Sequence, residues 1–110
     1  MALMAYQHRL RITPTVTGDA VWLQVAGDLD LGTASDLSMA LSDAERENPK
    51  IVGLELSRVE FADATALRIF VAAARRARLK RRRFVLAHPS GAVRRMLALT
   101  SLDRTLDVVA

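Results

Sequence analysis

The sequence predicts an α/β fold: a mixed β-sheet, made of an antiparallel N-terminal pair plus βαβ units, packed against three to four helices. Three observations predict it. Apolar residues alternate with a period of two in some stretches and recur at helical spacing in others. Those stretches follow one another in the order β-β-α-β-α-β-α-β. Turn and cap residues separate them. A tight turn joins the first two strands, which makes them antiparallel. Strands separated by a helix form right-handed crossovers that lay helices against the sheet.

Taken in order, Arg9 to Thr17 and Ala20 to Ala26 are rich in β-branched and apolar residues, with T-G-D between them, which reads as a hairpin. Val21, Leu23 and Val25 give the second strand one apolar face. Gly27-Asp28-Leu29-Asp30 reads as a turn. Thr33 to Glu47 is a helix, with Ala34, Leu37, Leu41 and Ala44 at helical spacing. Thr33 is its expected N-cap, with Asp36 in a near capping-box position, and Asn48-Pro49 ends it. Ile51 to Leu56 is a strand and Ser57 to Asp63 a connection. Ala64 to Leu79 is a second helix, with Leu67, Phe70, Val71 and Ala74 inward and Arg68, Arg75, Arg78 and Arg82 toward water. Phe84 to Ala87 is a short buried strand. Pro89 sits near the start of a third helix, Ser90 to Leu99, where an early amide needs no partner. Its core stripe is Val93, Met96 and Leu97, and a last strand runs near Leu106 to Val109.

With 110 residues, 51% apolar and 25% charged, the chain reads as one domain, 1–110, with a core over about 8–109. It has no cysteine, so disulfides and thiol chemistry are excluded and a reducing cytoplasm is expected. No apolar run approaches the roughly 20 residues that span a bilayer, and the first ten residues are too weakly apolar for a signal peptide. The net charge of +4 conceals an asymmetry. Residues 1–55 hold four basic and eight acidic side chains, residues 56–110 twelve and four. Seven of the nine residues from Arg75 to Arg83 are basic, which reads either as a solvated helix end or as a face for acidic partners.

Catalytic signatures are absent. His8 and His88 are isolated from each other and from any ligand cluster, so neither a metal nor another cofactor is expected. There is no G-x-S-x-G, Walker loop or G-x-G-x-x-G. Asp28 and Asp30 lie two apart, without a nucleophile or oxyanion donors, and read as turn acids rather than an acid–base pair. The chain is not expected to be an enzyme.

The stretch V-E-F-A-D-A-T-A-L-R-I-F, residues 59–70, is less ordinary. Read plainly, Asp63 caps a helix, worth about 1 kcal/mol, and Ala64 to Ala66 supply propensity. Together with Gly27-Asp28-Leu29-Asp30-Leu31-Gly32-Thr33-Ala34, however, it resembles the two signatures of STAS domains, the anti-sigma factor antagonists. Those are a G-E-L-D opening, followed by T-A and a leucine-bearing helix, and a strand leading through F-x-D-[ST]-[ST]-G-L into a helix. Phe84-Val85-Leu86-Ala87, Val93, Met96-Leu97 and Thr100-Ser101-Leu102 resemble the family's closing strand and helix.

The resemblance implies a STAS-like sheet and binding to a kinase-type anti-sigma factor, which releases a sigma factor. It also implies a switch: the partner phosphorylates the Ser or Thr after the motif aspartate, and the complex is lost. A phosphate there adds charge and bulk at a helix N-terminus within a binding face. Carried over, Asp63 is the motif aspartate, Leu67 the motif leucine, Asp30 the second acid of G-E-L-D and Asp28 the replacement of its Glu. The phosphoacceptor position is Ala64, which has no hydroxyl, and Ala66 stands for Gly. A one-residue shift would make Thr65 the acceptor; strict registration, the expected reading, leaves the switch degenerate.

The expected partner-binding residues are thus Asp28, Asp30, Thr33, Asp63, Ala64, Thr65, Ala66 and Arg68. The chain is expected to act as a monomer or weak dimer, without membrane or nucleic acid. Two alternatives are a regulatory or ligand-binding STAS module in a signalling assembly and nucleic-acid binding through Arg75 to Arg83. The second lacks interleaved aromatic residues for base stacking.

Overall fold

The computed structural model describes residues 9–110; His8 lies outside them. In chain order the elements are β1 (Leu10–Thr17), β2 (Ala20–Leu29), α1 (Ala34–Glu45), β3 (Ile51–Ala62), α2 (Ala64–Leu79), β4 (Arg83–Ala87), α3 (Gly91–Thr100), a 3-10 turn (Leu102–Arg104) and β5 (Asp107–Val109). The order read from the sequence holds. The sheet runs β1-β2-β3-β4-β5, antiparallel between β1 and β2 and parallel elsewhere.

One core joins sheet and helices. Val21, Leu23 and Val25 of β2 and Val52, Leu54 and Leu56 of β3 meet Leu37 and Leu41 of α1, Phe70 of α2 and Val93 of α3. Phe70 has no exposed surface, and such a side chain contributes about 2–3 kcal/mol by leaving water. The expected stripe of α3 is buried. On α2 the buried set is Ala66, Leu67, Phe70, Ala73 and Ala77, while Val71 and Ala74 are only half-buried. Small residues on that face let the helix lie close to its neighbours. No helix among the described residues is long and apolar enough to cross a membrane.

Two strands outrun the expectation, and this positions the site. β2 continues through Gly27, Asp28 and Leu29, which had read as a turn, and β3 continues through residues 57–62, which had read as a connection. The two extensions pair with each other: Gly27 with Val59, Asp28 with Phe61 and Leu29 with Ala62, after register shifts on either side of Ala26 and Gly27. Backbone pairing needs no apolar alternation, so polar side chains concealed it. Gly27 has φ +115°, and a side-chain carbon there would lie 2.0 Å from the Arg9 carbonyl oxygen. Only glycine permits that approach.

Smaller corrections concern ends. α1 stops at Glu45 rather than Glu47. Pro89 lies outside α3, where Ser90 is the N-cap and accepts from the Val93 N–H at 3.3 Å. Arg82 is not free in water: it donates to the Pro49 carbonyl at 3.1 Å and to Asn48 at 2.9 Å.

Candidate functional site

The paired ends of β2 and β3 deliver two polar segments to one place. Asp63 follows β3 directly, and its N–H donates to the Leu29 carbonyl at 3.1 Å. Its carboxylate accepts from the Thr65 N–H at 2.8 Å, which makes it the side-chain cap of α2. Ala64 is therefore the first helical residue. It is exposed, Thr65 is half-buried and Ala66 is buried. Arg68 lies one turn on, exposed on the outer face.

Asp28, Asp30 and Thr33 form the neighbouring segment. Thr33 is buried, and its hydroxyl donates to the Asp28 carbonyl at 2.8 Å while accepting from the Asp30 N–H at 3.1 Å. The Thr33 N–H in turn reaches the Asp30 carboxylate at 3.2 Å. The capping box expected of Thr33 and Asp36 does not form, because the hydroxyl turns back into the turn rather than forward to the helix. A threonine locked by its own backbone neighbours stabilises the loop itself.

Sequence reasoning missed Arg9. Its guanidinium pairs with the Asp30 carboxylate and lies 4.0 Å from that of Asp28. Gly32 allows this, since a side chain there would approach the guanidinium to 2.9 Å. One signal was available: two acids at a strand end need a counter-charge, and Arg9 opens the strand that pairs back onto Gly27. Leu31, 80% exposed, and Phe61, 49% exposed, are apolar residues of the same two segments. Three carboxylates (Asp28, Asp30, Asp63) against two guanidinium groups (Arg9, Arg68) leave the junction net negative.

The other candidate, Arg75 to Arg83, lies at the far end of α2, and three of its seven cations are engaged within the fold. Arg76 makes two bonds of 2.9 Å to Glu45, Arg82 holds the loop before β3, and Arg83 reaches Asp107 at 2.7 Å. His88 is also remote from Asp63 in the sheet, with Nδ1 2.5 Å from Glu55. Burial raises the Glu55 carboxyl, but hydrogen bonds from the Ser57 hydroxyl and N–H and the contact with His88 outweigh it and hold it below its ordinary value.

Residues 12–110 match the family described as Mlab, STAS domain. The chain belongs to the STAS-domain family of anti-sigma factor antagonists. It is 35% identical over 97 residues to the anti-sigma-F factor antagonist RsfB of Mycobacterium tuberculosis, covering 86% of this chain and 78% of that one. The crystal structure of an anti-sigma factor antagonist from Mycobacterium paratuberculosis superimposes with a TM-score of 0.83 at 25% identity, over 91% of this chain and 85% of the other. The unphosphorylated anti-sigma factor antagonist SpoIIAA shares the fold, with a TM-score of 0.74 at 19% identity over 92% and 88% of the two chains. The five-stranded mixed sheet with its three helices is thus the STAS fold that the two sequence signatures implied.

Proposed function

We propose that this STAS domain binds a kinase-type anti-sigma factor through the α2 N-terminal junction, and that its phosphorylation switch is degenerate. The carrying observation is the cap. Asp63 sits at the N-cap position with Ala64 directly after it, so the position that the family resemblance assigns to the phosphoacceptor holds a methyl group. The curated relative's name supports an anti-sigma factor as the class of partner. Satisfied carboxylates, the Leu31 and Phe61 side chains and an outward methyl at Ala64 favour close docking rather than catalysis. This surface competes with the sigma factor for the anti-sigma factor, and the complex persists in the presence of ATP.

The test uses the kinase-type anti-sigma factors of the same genome, purified and mixed with this protein and magnesium-ATP. A stable complex with one of them and an unchanged intact mass are expected. Ala64→Ser should gain one phosphoryl group and lose the complex. Phosphate on Thr65 of the wild-type protein, removed by Thr65→Ala, would overturn the degenerate switch. Absence of any complex at micromolar protein would overturn the binding itself.

A further inference from the structure

A groove of about 600 Å³ opens between the β1–β2 hairpin and the C-terminal half of α1. Its floor includes one face of β1, where Ile12, Pro14 and Val16 continue the inward row begun by Leu10. All four are apolar, yet only Leu10 is buried; Ile12 is half-buried and Val16 is 72% exposed. The apolar side chains that α1 presents to this space are Ala40 and Ala44, too short to roof it. The rim carries Asp19, Asp43 and Glu47 with Lys50; Asp43 pairs with Arg46 and Asp19 with Lys50, and Glu47 is in no ion pair among the described residues. An apolar, acidic-rimmed groove fits an apolar anchor with cationic flanks.

This chain carries such an anchor. Leu79, at the end of α2, is 80% exposed. Arg75, Arg78, Lys80 and Arg81 surround it in sequence and are exposed. None of the four is in an ion pair among the described residues. Asn48 borders both surfaces: it lines the groove, and also the hollow shared by Leu79 and Lys80 on the other flank of α1. Groove and anchor thus lie at the same end of the molecule with one helix between them.

We infer that a second copy of this chain covers the groove. In the two-fold pair, Leu79 of each copy enters the groove of the other, and its flanking cations face Asp43 and Glu47. An isologous contact of this kind repeats both halves of the match and closes at two. The pair leaves the Ala64 end of α2 free, since fifteen residues of helix separate it from Leu79 by about 22 Å.

Sedimentation velocity over a range of protein concentration tests this, with Val16→Asp for the groove and Leu79→Asp for the anchor. Both positions are exposed, and unfolding midpoints check that each variant is folded. The wild-type protein should form dimers that weaken as salt rises. Each variant alone should be monomeric, while their equimolar mixture, which restores one good groove–anchor contact, should associate again. A wild-type protein that stays monomeric at the highest concentration would overturn the inference. So would variants that dimerise like wild type, a mixture that remains monomeric, or oligomers larger than two.

Discussion

At its N-terminal end α2 begins among short side chains that satisfy one another, whereas at its C-terminal end long cations reach outward. Asp63, Thr33 and Asp30 spend their hydrogen bonds on backbone within the two segments that join there, and Arg9 neutralises part of the charge. Arg76, Arg82 and Arg83 instead tie the helix end and β4 to α1, the loop before β3 and β5. The first end is a stiff surface with little side-chain entropy left to lose on docking. The second is a set of struts with a solvated cationic surplus. Charge density in a sequence marks the struts; the candidate docking surface is the quieter end.

The contrast breaks most severely if the N-terminal bracing is forced apart at its base. Gly27→Ala places a methyl against the Arg9 carbonyl at a backbone angle that alanine disfavours. A loss of about 3 kcal/mol is expected, read as a lower urea midpoint with an unchanged slope. Because Gly27 aligns the Asp28–Phe61 pairing, partner binding should fall with it. An alanine here that leaves stability untouched would show that the strand extension does not brace the site.

Thr33→Val comes next. It keeps the shape but leaves the Asp28 carbonyl and Asp30 N–H without the hydroxyl, for a loss of about 2 kcal/mol. Thr33→Ser should recover most of it. If valine and serine behaved alike, the hydroxyl would be dispensable and packing alone would hold the turn. Asp63→Ala should cost about 1 kcal/mol by removing the cap on the Thr65 N–H, and Asp63→Asn much less, because the amide oxygen caps as well. Partner affinity sharpens the comparison further, since Asp63→Asn keeps the cap and removes the charge. A loss of affinity in Asp63→Asn with stability retained would assign the carboxylate to the interface.

What the sequence made legible follows the same division. Asp63 as cap, Ala64 as the first helical residue, the extent of α2 and the core stripes of α1 and α3 were readable, because local spacing and capping chemistry determine them. The extensions of β2 and β3 were not. Asp28, Arg58 and Glu60 interrupt the apolar alternation, and what holds those residues in strands is backbone pairing across a register shift. Arg9 was readable only in part: the hairpin brings residue 9 back beside residue 28, but the ion pair joins side chains 21 residues apart that local spacing does not link. Thr33 was placed correctly at the start of α1 and given the wrong bonds. A hydroxyl at a helix start has two sets of backbone groups within reach, and the tight Asp30 turn presents its set first.

The smallest effect belongs to the other end of α2. Arg76 and Glu45 make a bidentate pair that joins α2 to α1. Here the arginine side chain is 45% exposed and the glutamate 17%, so water screens the attraction and two long side chains lose freedom to form it. A double-mutant cycle with Arg76→Met and Glu45→Gln should give a coupling of about 0.5 kcal/mol, reduced further by salt. A coupling as large as the Thr33→Val effect would erase the distinction drawn between the two ends. It would mean that the C-terminal struts, rather than the polar junction, set how firmly α2 is held where a partner would meet it.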